Sequence, residues 1–522
     1  MRKQHARLLL LTCIATLCTL AAAAQNDTAL FPLADRRGTL NPEWALRRTA
    51  GAQDKGPGGN YFKGEKNQLV VLASFADNPF LGDSAATLAQ WDKILNTRHL
   101  DEPPFTGSFH DYFYDQSYGL FDLSCDLQFV RVDSCRRYAS TASDDENSQY
   151  LVQDVMNVLR QRDIEWDRYD WNGDGYVNQL LIIYAGQGSA YGKMGPRYDA
   201  IWPHQWWLSQ HRKDRQTGIY CDPETVHYQD NDYLIDSYCA VQELHRDSTY
   251  GSFGTLCHEF SHCFGFPDIY YGSTSFIYKW DLMDYGNYTG GGFLPTGYSA
   301  HERWLMDWLT PAELTTPTIV TDMPALTDQP VAYLIRNDAC PDEFYLLENR
   351  QQTGWDAGLP GAGLTVFHID YSPLLWLLGN VNTPNLQHYV IIQANNRSSI
   401  SAASGWAYPC AINDSTWNTA LTDTSVPAAT LWNANIAGEM LMSKPVTDIA
   451  VNDGLASFSF MSPTQDLPAP LTDPATPFTD SPASLTGNPS PATRKFLHNG
   501  HLLIQFGNNI YTPFGQIVAT GR

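Results

Sequence analysis

Between positions 69 and 75 the chain runs Leu69-Val70-Val71-Leu72-Ala73-Ser74-Phe75. That run is too continuously apolar for an exposed edge, so it is expected to be a buried strand. Residues 87–96 and 150–162 carry helical periodicity instead. In the second, Leu151, Val155, Val158 and Leu159 form one stripe, most simply used for core packing. A further apolar strand, Leu180-Leu181-Ile182-Ile183-Tyr184, leads into Ala185-Gly186-Gln187-Gly188. Strands alternating with helices up to about residue 310 predict an α/β unit. From Thr316 to Met461 short strands separated by turn residues predict a β-rich part. Eight prolines between 463 and 491 then mark an extended linker. Lys495 to Arg522 alternates well enough for two or three small strands, too little to be stable alone.

The N-terminus adds an export signal. Arg2, Lys3 and Arg7 precede an apolar core from Leu8 to Leu20, and Ala22-Ala23-Ala24 supplies small residues for cleavage before Gln25. The apolar core is too short to span a membrane, and no later run is long enough. Residues 1–24 are therefore expected to leave, and residues 25–65 read as a pro-segment or an N-terminal arm. The expected location is secreted or extracellular, with periplasm or cell surface as variants.

Composition narrows the partners. The 522 residues carry a formal charge of −23, with 43% hydrophobic and 17% charged residues. Nucleic acid is excluded as a partner because phosphate binding needs clustered Lys and Arg. The 56 acids comprise 43 Asp and 13 Glu, a bias toward turns, caps and metal loops rather than helix surfaces. Eight cysteines follow the signal, and export permits disulfides. Cys125–Cys135 and Cys221–Cys239 are the expected local staples. Cys257 and Cys263 lie six apart on an expected helix, about 9 Å along its axis and facing different ways, so they cannot bond. No Cys-x-x-Cys pair occurs, which disfavours a zinc finger or a thioredoxin-like site.

The chemistry concentrates in Cys257-His258-Glu259-Phe260-Ser261-His262-Cys263-Phe264-Gly265-Phe266-Pro267-Asp268. Histidines four apart on a helix share a face and can grip one zinc. Glu259 sits beside them, able to reach an activated water without being a ligand. Gly265 can end the helix in a left-handed conformation and Pro267 prevents its resumption, so Asp268 can return as third ligand. Three protein ligands and an open position suit a catalytic rather than a structural zinc. With 14 His and 13 Glu in the chain, chance alone gives such a motif roughly 0.01 times. Glu302 is a second candidate for the third ligand.

Downstream stands Trp280-Asp281-Leu282-Met283-Asp284-Tyr285-Gly286. A methionine in a tight turn after an extended zinc helix resembles the metzincin peptidases, in which it floors the metal; ordinary core packing is the alternative for Met283. Tyr285 resembles the tyrosine of a Met-x-Tyr turn that hydrogen-bonds the oxyanion, or else it packs or caps. The chain as a whole resembles the immune-inhibitor-A-like metallopeptidases, family M6. The resemblance rests also on Gly107-Ser108-Phe109-His110-Asp111-Tyr112-Phe113 with Gln116-Ser117-Tyr118-Gly119, on Tyr169 to Asn178, and on Ile201-Trp202-Pro203-His204. It continues through Pro295 to Trp308, Leu346-Leu347-Glu348-Asn349-Arg350, Leu359-Pro360-Gly361 and His368-Ile369-Asp370. It covers roughly residues 65–460. Met306-Asp307-Trp308 departs from the usual Leu-Gly-Trp at a helix end.

The resemblance implies a secreted zinc endopeptidase, often calcium-supported and made with a pro-segment. Its expected fold is an α/β (α+β) metzincin-like catalytic domain over 66–315, with a twisted mixed sheet and an active-site helix. A β-rich part over 316–461 follows, then the linker 462–494 and a tail 495–522. Asp170, Asn172 and Asp174, the Tyr176 carbonyl and Asn178 space oxygens as a calcium loop would, although position twelve is Leu181 rather than a bidentate Glu. An Asx-rich turn feeding the strand at Leu180 is the alternative. The tail resembles sorting tails that engage an export machinery in some Gram-negative bacteria, or it is a capping hairpin. Protein or peptide substrates follow from the peptidase reading. Its rival from another class is a secreted binding or adhesion protein on an inactive peptidase scaffold, against which the intact His258, Glu259 and His262 stand.

Overall fold

The apolar run at 69–75 lies inside a five-stranded sheet. The computed structural model describes residues 62–139, 147–189, 201–214, 219–245, 253–372, 375–376, 378–413 and 416–461, together with four strands between 493 and 520. The expected signal peptide, almost all of the arm 25–65 and nearly all of the linker lie outside the described residues. Two compact units divide the chain, Met1–Pro463 and Thr464–Arg522.

In the first unit the sheet comprises β1 (Gly64–Phe75), β2 (Phe121–Val132), β3 (Leu180–Gln187), β4 (His204–Trp207) and β5 (Ser237–Leu244), in the order β2-β1-β3-β5-β4. Strands β2, β1, β3 and β5 are parallel, and β4 runs antiparallel to β5 at the edge. Residues Leu69–Ala73 and Leu180–Ile183 are all fully buried, as expected for parallel strands covered on both faces. Helices α1 (Ser84–Asn96), α2 (Phe109–Gln116) and α3 (Ser148–Leu159) connect the early strands. The periodicity placed α1 and α3 within three residues of their observed ends. Helix α2 has Ser108 as N-cap, which accepts from Asp111 N–H, while Asp111 accepts from Ser108 N–H.

After α4 (Phe253–Ser261) and α5 (Ala300–Leu305) comes a second sheet, β6 (Ala312–Glu313), β7 (Ala332–Asn337), β8 (Cys340–Arg350), β9 (Gly363–Asp370) and β10 (Tyr389–Ile391), in that spatial order. Side chains alternate across β8. Phe344 and Leu346 join the large core that holds the first sheet, while Tyr345 and Leu347 join a second core with Val320, Phe458 and Phe460. The β-rich part therefore completes the core beneath the first sheet. It belongs to the same compact unit.

The second unit contains a four-stranded antiparallel sheet, Thr493–His498, His501–Phe506, Asn509–Tyr511 and Ile517–Thr520, paired in sequence order. Two or three strands were expected there. Alternation alone did not separate the last two short strands.

Neither expected disulfide forms, and Cys125 and Cys239 remain thiols. Strand β2 carries the chain on from Cys125 to Val132, about 23 Å of extended backbone, before Cys135 is reached. Cys239 is fully buried in mid-β5, between Leu181 of β3 and Gln205 of β4. The segment between Cys221 and Cys239 folds its own hairpin, Glu224–Tyr228 against Asn231–Ile235, instead of pairing the two cysteines.

A buried cation ties the second sheet to the 280–300 segment that follows α4. Arg350, at the end of β8, is fully buried. It grips Asp356 with Nε at 2.6 Å and Nη2 at 2.7 Å, and Glu348 with Nη1 at 2.9 Å. Its remaining hydrogens go to the carbonyls of Trp280 at 3.3 Å and Gly297 at 3.1 Å. All five guanidinium donors are used. Glu348 in turn accepts from the N–H of Ala300, the first residue of α5, at 2.6 Å. Arg350→Met should leave two buried carboxylates unpaired and cost about 3–5 kcal/mol of unfolding free energy in urea titration. A loss below about 1 kcal/mol would show that the network is dispensable.

Candidate metal centre

Helix α4 is buried on nearly every side. Leu256, Cys257 and Phe260 are in the core, and so is Cys263 in the following turn. Small size matters at Gly254, where a Cβ would lie 2.0 Å from the Asn287 carbonyl oxygen. A glycine here lets the 286–292 segment press against the helix. The α-helix stops at Ser261 and tightens into a 3-10 turn, His262–Phe264. Gly265 ends that turn at φ 88°, in the left-handed region, and its N–H donates to the His262 carbonyl. The chain then reverses, as Gly265 and Pro267 had implied, and brings Asp268 back to the histidines.

His258, His262 and Asp268 converge. Their candidate ligand atoms lie within 4.8 Å of one another, and all three residues are buried. His258 Nε2 is 3.0 Å and His262 Nε2 is 3.5 Å from Asp268 Oδ1. Tetrahedral bonds of 2.0–2.1 Å put ligand atoms about 3.3 Å apart, between those two values. The tautomers are set from behind. His258 Nδ1 lies 2.9 Å from the Leu282 carbonyl and His262 Nδ1 lies 2.7 Å from the Phe266 carbonyl. A carbonyl only accepts, so both Nδ1 atoms donate and both Nε2 atoms present lone pairs. Asp268 Oδ1 is buried and faces both Nε2 atoms. Three acceptors around one buried point form a donor set that fits a divalent cation.

The electrostatics follow the crowding. Burial would lower the His258 imidazole, but the hydrogen bond and charge of Asp268, with Glu259, raise it to about 9. Burial lowers His262, with Asp268 opposing and His258 adding to the fall. A single proton on His258 is thus the cation-free answer to the same negative potential. Glu259 points its Oε2 to within 3.8 Å of His262 Nε2. Burial pushes its carboxyl up to about 7; the His258 charge pulls down, the Asp268 charge pushes up, and the Gln205 N–H of β4 pulls down. A carboxylate poised there can exchange protons near neutrality.

Met283 lies in a rigid turn. Asp281 Oδ1 accepts the Met283 N–H at 2.7 Å, and Asp284 Oδ2 accepts the N–H groups of Phe276, Ile277 and Tyr278. Met283 is buried, and its carbonyl receives the Ile269 N–H at 2.9 Å, joining the turn to the segment that carries Asp268. Tyr285 is spoken for: its hydroxyl donates to the Ser273 carbonyl at 3.1 Å. Glu302, the rival third ligand, closes a capping box instead, accepting from Ser299 N–H at 2.8 Å.

The 170–178 loop folds as an Asx-rich turn. Asp170 accepts the N–H groups of Gly173, Asp174 and Gly175, and Asp174 accepts that of Tyr176. Asn178 turns away to accept the Trp171 N–H at 2.6 Å. Asn172 Oδ1 is buried without a hydrogen-bond partner.

Sequence reasoning missed three contributors. Gln205 lowers the Glu259 carboxyl through its backbone, which no side-chain pattern encodes. Arg350 stood inside a signature segment without a role. Tyr270, two residues past Asp268, packs on His258 only because of the turn.

The fold and site define a mixed α/β domain with two helix-borne imidazoles, a returning carboxylate and a neighbouring acid, equipment suited to a hydrolase. Residues 99–310 match the family model described as Immune inhibitor A peptidase M6, catalytic domain. Immune inhibitor A of Bacillus thuringiensis subsp. alesti is 31% identical over 175 residues, covering 29% of this chain and 24% of that relative. The chain spans about a quarter of the length of the curated relative it matches. Both matches liken the chain to the M6 peptidases, the first of them to the catalytic domain over residues 99–310. The match is narrower than the 65–460 suggested by the signature segments. Among the described residues no helix is long and apolar enough to cross a membrane.

Gly254→Ala should cost about 1–3 kcal/mol in thermal or urea unfolding despite alanine's better helix propensity, because the neighbour is backbone. A variant as stable as the parent would contradict the close approach of helix and loop.

Proposed function

We propose that this chain is an exported zinc-dependent endopeptidase that hydrolyses peptide bonds in protein or peptide substrates. The observation that carries the reading is the convergence of His258 Nε2, His262 Nε2 and Asp268 Oδ1 on one buried point, with Glu259 alongside. When bound there, zinc would acidify a water and polarise the scissile carbonyl. The Leu282 and Phe266 carbonyls hold the two imidazoles in the ligating tautomer. Asp268 supplies the third, anionic ligand, which favours the divalent cation over the single proton. Glu259 accepts the proton of the attacking water and delivers it to the departing amine nitrogen. Burial, which raises this carboxyl to about 7, makes both transfers accessible near neutral pH.

Strand β4 is an edge strand beside Glu259. Its outer edge suits an extended peptide laid alongside as one more strand. The same reading places a calcium ion at Asp170, Asn172 and Asp174, with the open Asn172 Oδ1 as support. The residue 1–24 pattern supports export, and the tail is proposed to engage an export machinery.

Purified wild-type protein should cleave casein, lose activity to a zinc chelator and regain it with added zinc. Glu259→Gln should keep its zinc while turnover falls about 100- to 10,000-fold. Turnover at the wild-type rate in Glu259→Gln would remove the general-base assignment.

A further inference from the structure

Strand β2 is the outer strand of the first sheet, so one side of its backbone has no described strand beside it. The parallel ladder to β1 opens with the Gly64 N–H donating to the Leu120 carbonyl at 2.7 Å. That register turns the even-numbered residues of β2 toward β1 and the odd-numbered ones outward. Side chains close the outer edge at two points. Asn96 of α1 donates to the Cys125 carbonyl at 2.9 Å and accepts the Cys125 N–H at 2.8 Å, and Arg162 donates to the Phe129 carbonyl at 2.7 Å. Between them the Leu127 N–H and carbonyl meet no partner strand among the described residues. They face a groove of about 770 Å³ between α1, β2 and the 163–169 segment. Half-buried Leu127 and Tyr228 give the groove an apolar floor, and Asp92, Asp126, Asp163 and Glu165 line it with carboxylates. Arg168, the cation among its lining residues, is committed to Asp126 at 3.2 Å and Glu165 at 3.7 Å, so a negative excess remains.

We propose that this groove is the docking site of the chain's own N-terminal arm, with Trp44-Ala45-Leu46-Arg47-Arg48 laid along the outer edge of β2. The arm has the complementary charge. Residues 25–61 carry Arg36, Arg37, Arg47, Arg48 and Lys55 against Asp27, Asp35, Glu43 and Asp54, a positive excess within a chain of −23. Its reach suffices. The Phe62 carbonyl accepts from Trp308 Nε1 at 2.9 Å, and two residues later Gly64 pairs with Phe121 at the start of β2. Leu127 lies about 20 Å along the strand from Phe121, whereas the chain from Arg48 to Phe62 can span about 46 Å. In an extended segment Trp44, Leu46 and Arg48 share one side. Two apolar side chains and a guanidinium then meet the floor and its carboxylates, while the segment's backbone pairs with Leu127 as an added strand. The groove uses none of His258, Glu259, His262 or Asp268, so the inference stands apart from the zinc reading.

Hydrogen exchange at the Leu127 amide, read by mass spectrometry on protein that retains residues 25–61, tests the docking. The wild type should protect this amide. Arg47→Glu with Arg48→Glu should speed its exchange about 10-fold, Asp163→Lys with Glu165→Lys should do the same, and all four changes together should restore protection. An unprotected amide in the wild type, or protection untouched by Arg47→Glu with Arg48→Glu, overturns the proposal. Protection that the fourfold variant fails to restore also overturns it, since the charges would then act on the strand without the arm. Protection that grows with protein concentration assigns the groove to a second copy and overturns it as well.

Discussion

Three lone pairs aimed at one buried point form the constraint on which the site depends. A hydrogen bond needs one donor per pair, and His258 Nε2, His262 Nε2 and Asp268 Oδ1 offer acceptors when both Nδ1 atoms donate to carbonyls. A proton on His258 relieves one contact. A divalent cation relieves all three at once, and the burial that makes the cluster costly without a cation makes it selective for one. Glu259 gains from the same burial, because a carboxyl raised to about 7 can both take and return a proton.

Holding such a cluster requires rigid surroundings, and those come from distant parts of the chain. The Leu282 carbonyl behind His258 belongs to the turn that Asp281 and Asp284 fasten. Arg350 holds the Trp280 carbonyl from the second sheet, and Tyr389 of β10 donates to Asp281 at 3.0 Å. The β-rich part is thus a buttress for the region of α4, sharing its core through Phe344, Leu346 and Phe367. Its outer face closes a separate core with Phe458 and Phe460.

Much of this was legible in the sequence where chemistry is local. Histidines four apart, a glycine able to adopt positive φ and a proline after it specify a helix, a reversal and a returning ligand within eleven residues. Apolar runs marked β1 and β3 because buried parallel strands need no alternation. The rest depended on partners far away in sequence. Cys125 and Cys135 are near in sequence but separated by a long strand, so proximity misled. Tyr270 came to lie on His258 through a turn that no spacing rule describes. Glu302 offered a carboxylate at a suggestive distance downstream, but Ser299 claimed it for a cap.

Cys257 and Cys263 flank the histidines and Cys239 lies close to Glu259, so sulfur is available nearby. The ligand set is therefore most directly tested by zinc-edge X-ray absorption on the purified protein, with metal content measured on the same sample. The structure predicts one zinc per chain with a shell of nitrogen and oxygen at about 2.0–2.1 Å and two imidazoles. A sulfur shell at about 2.3 Å, or protein that takes up no zinc, would contradict the assignment of His258, His262 and Asp268 as the metal centre.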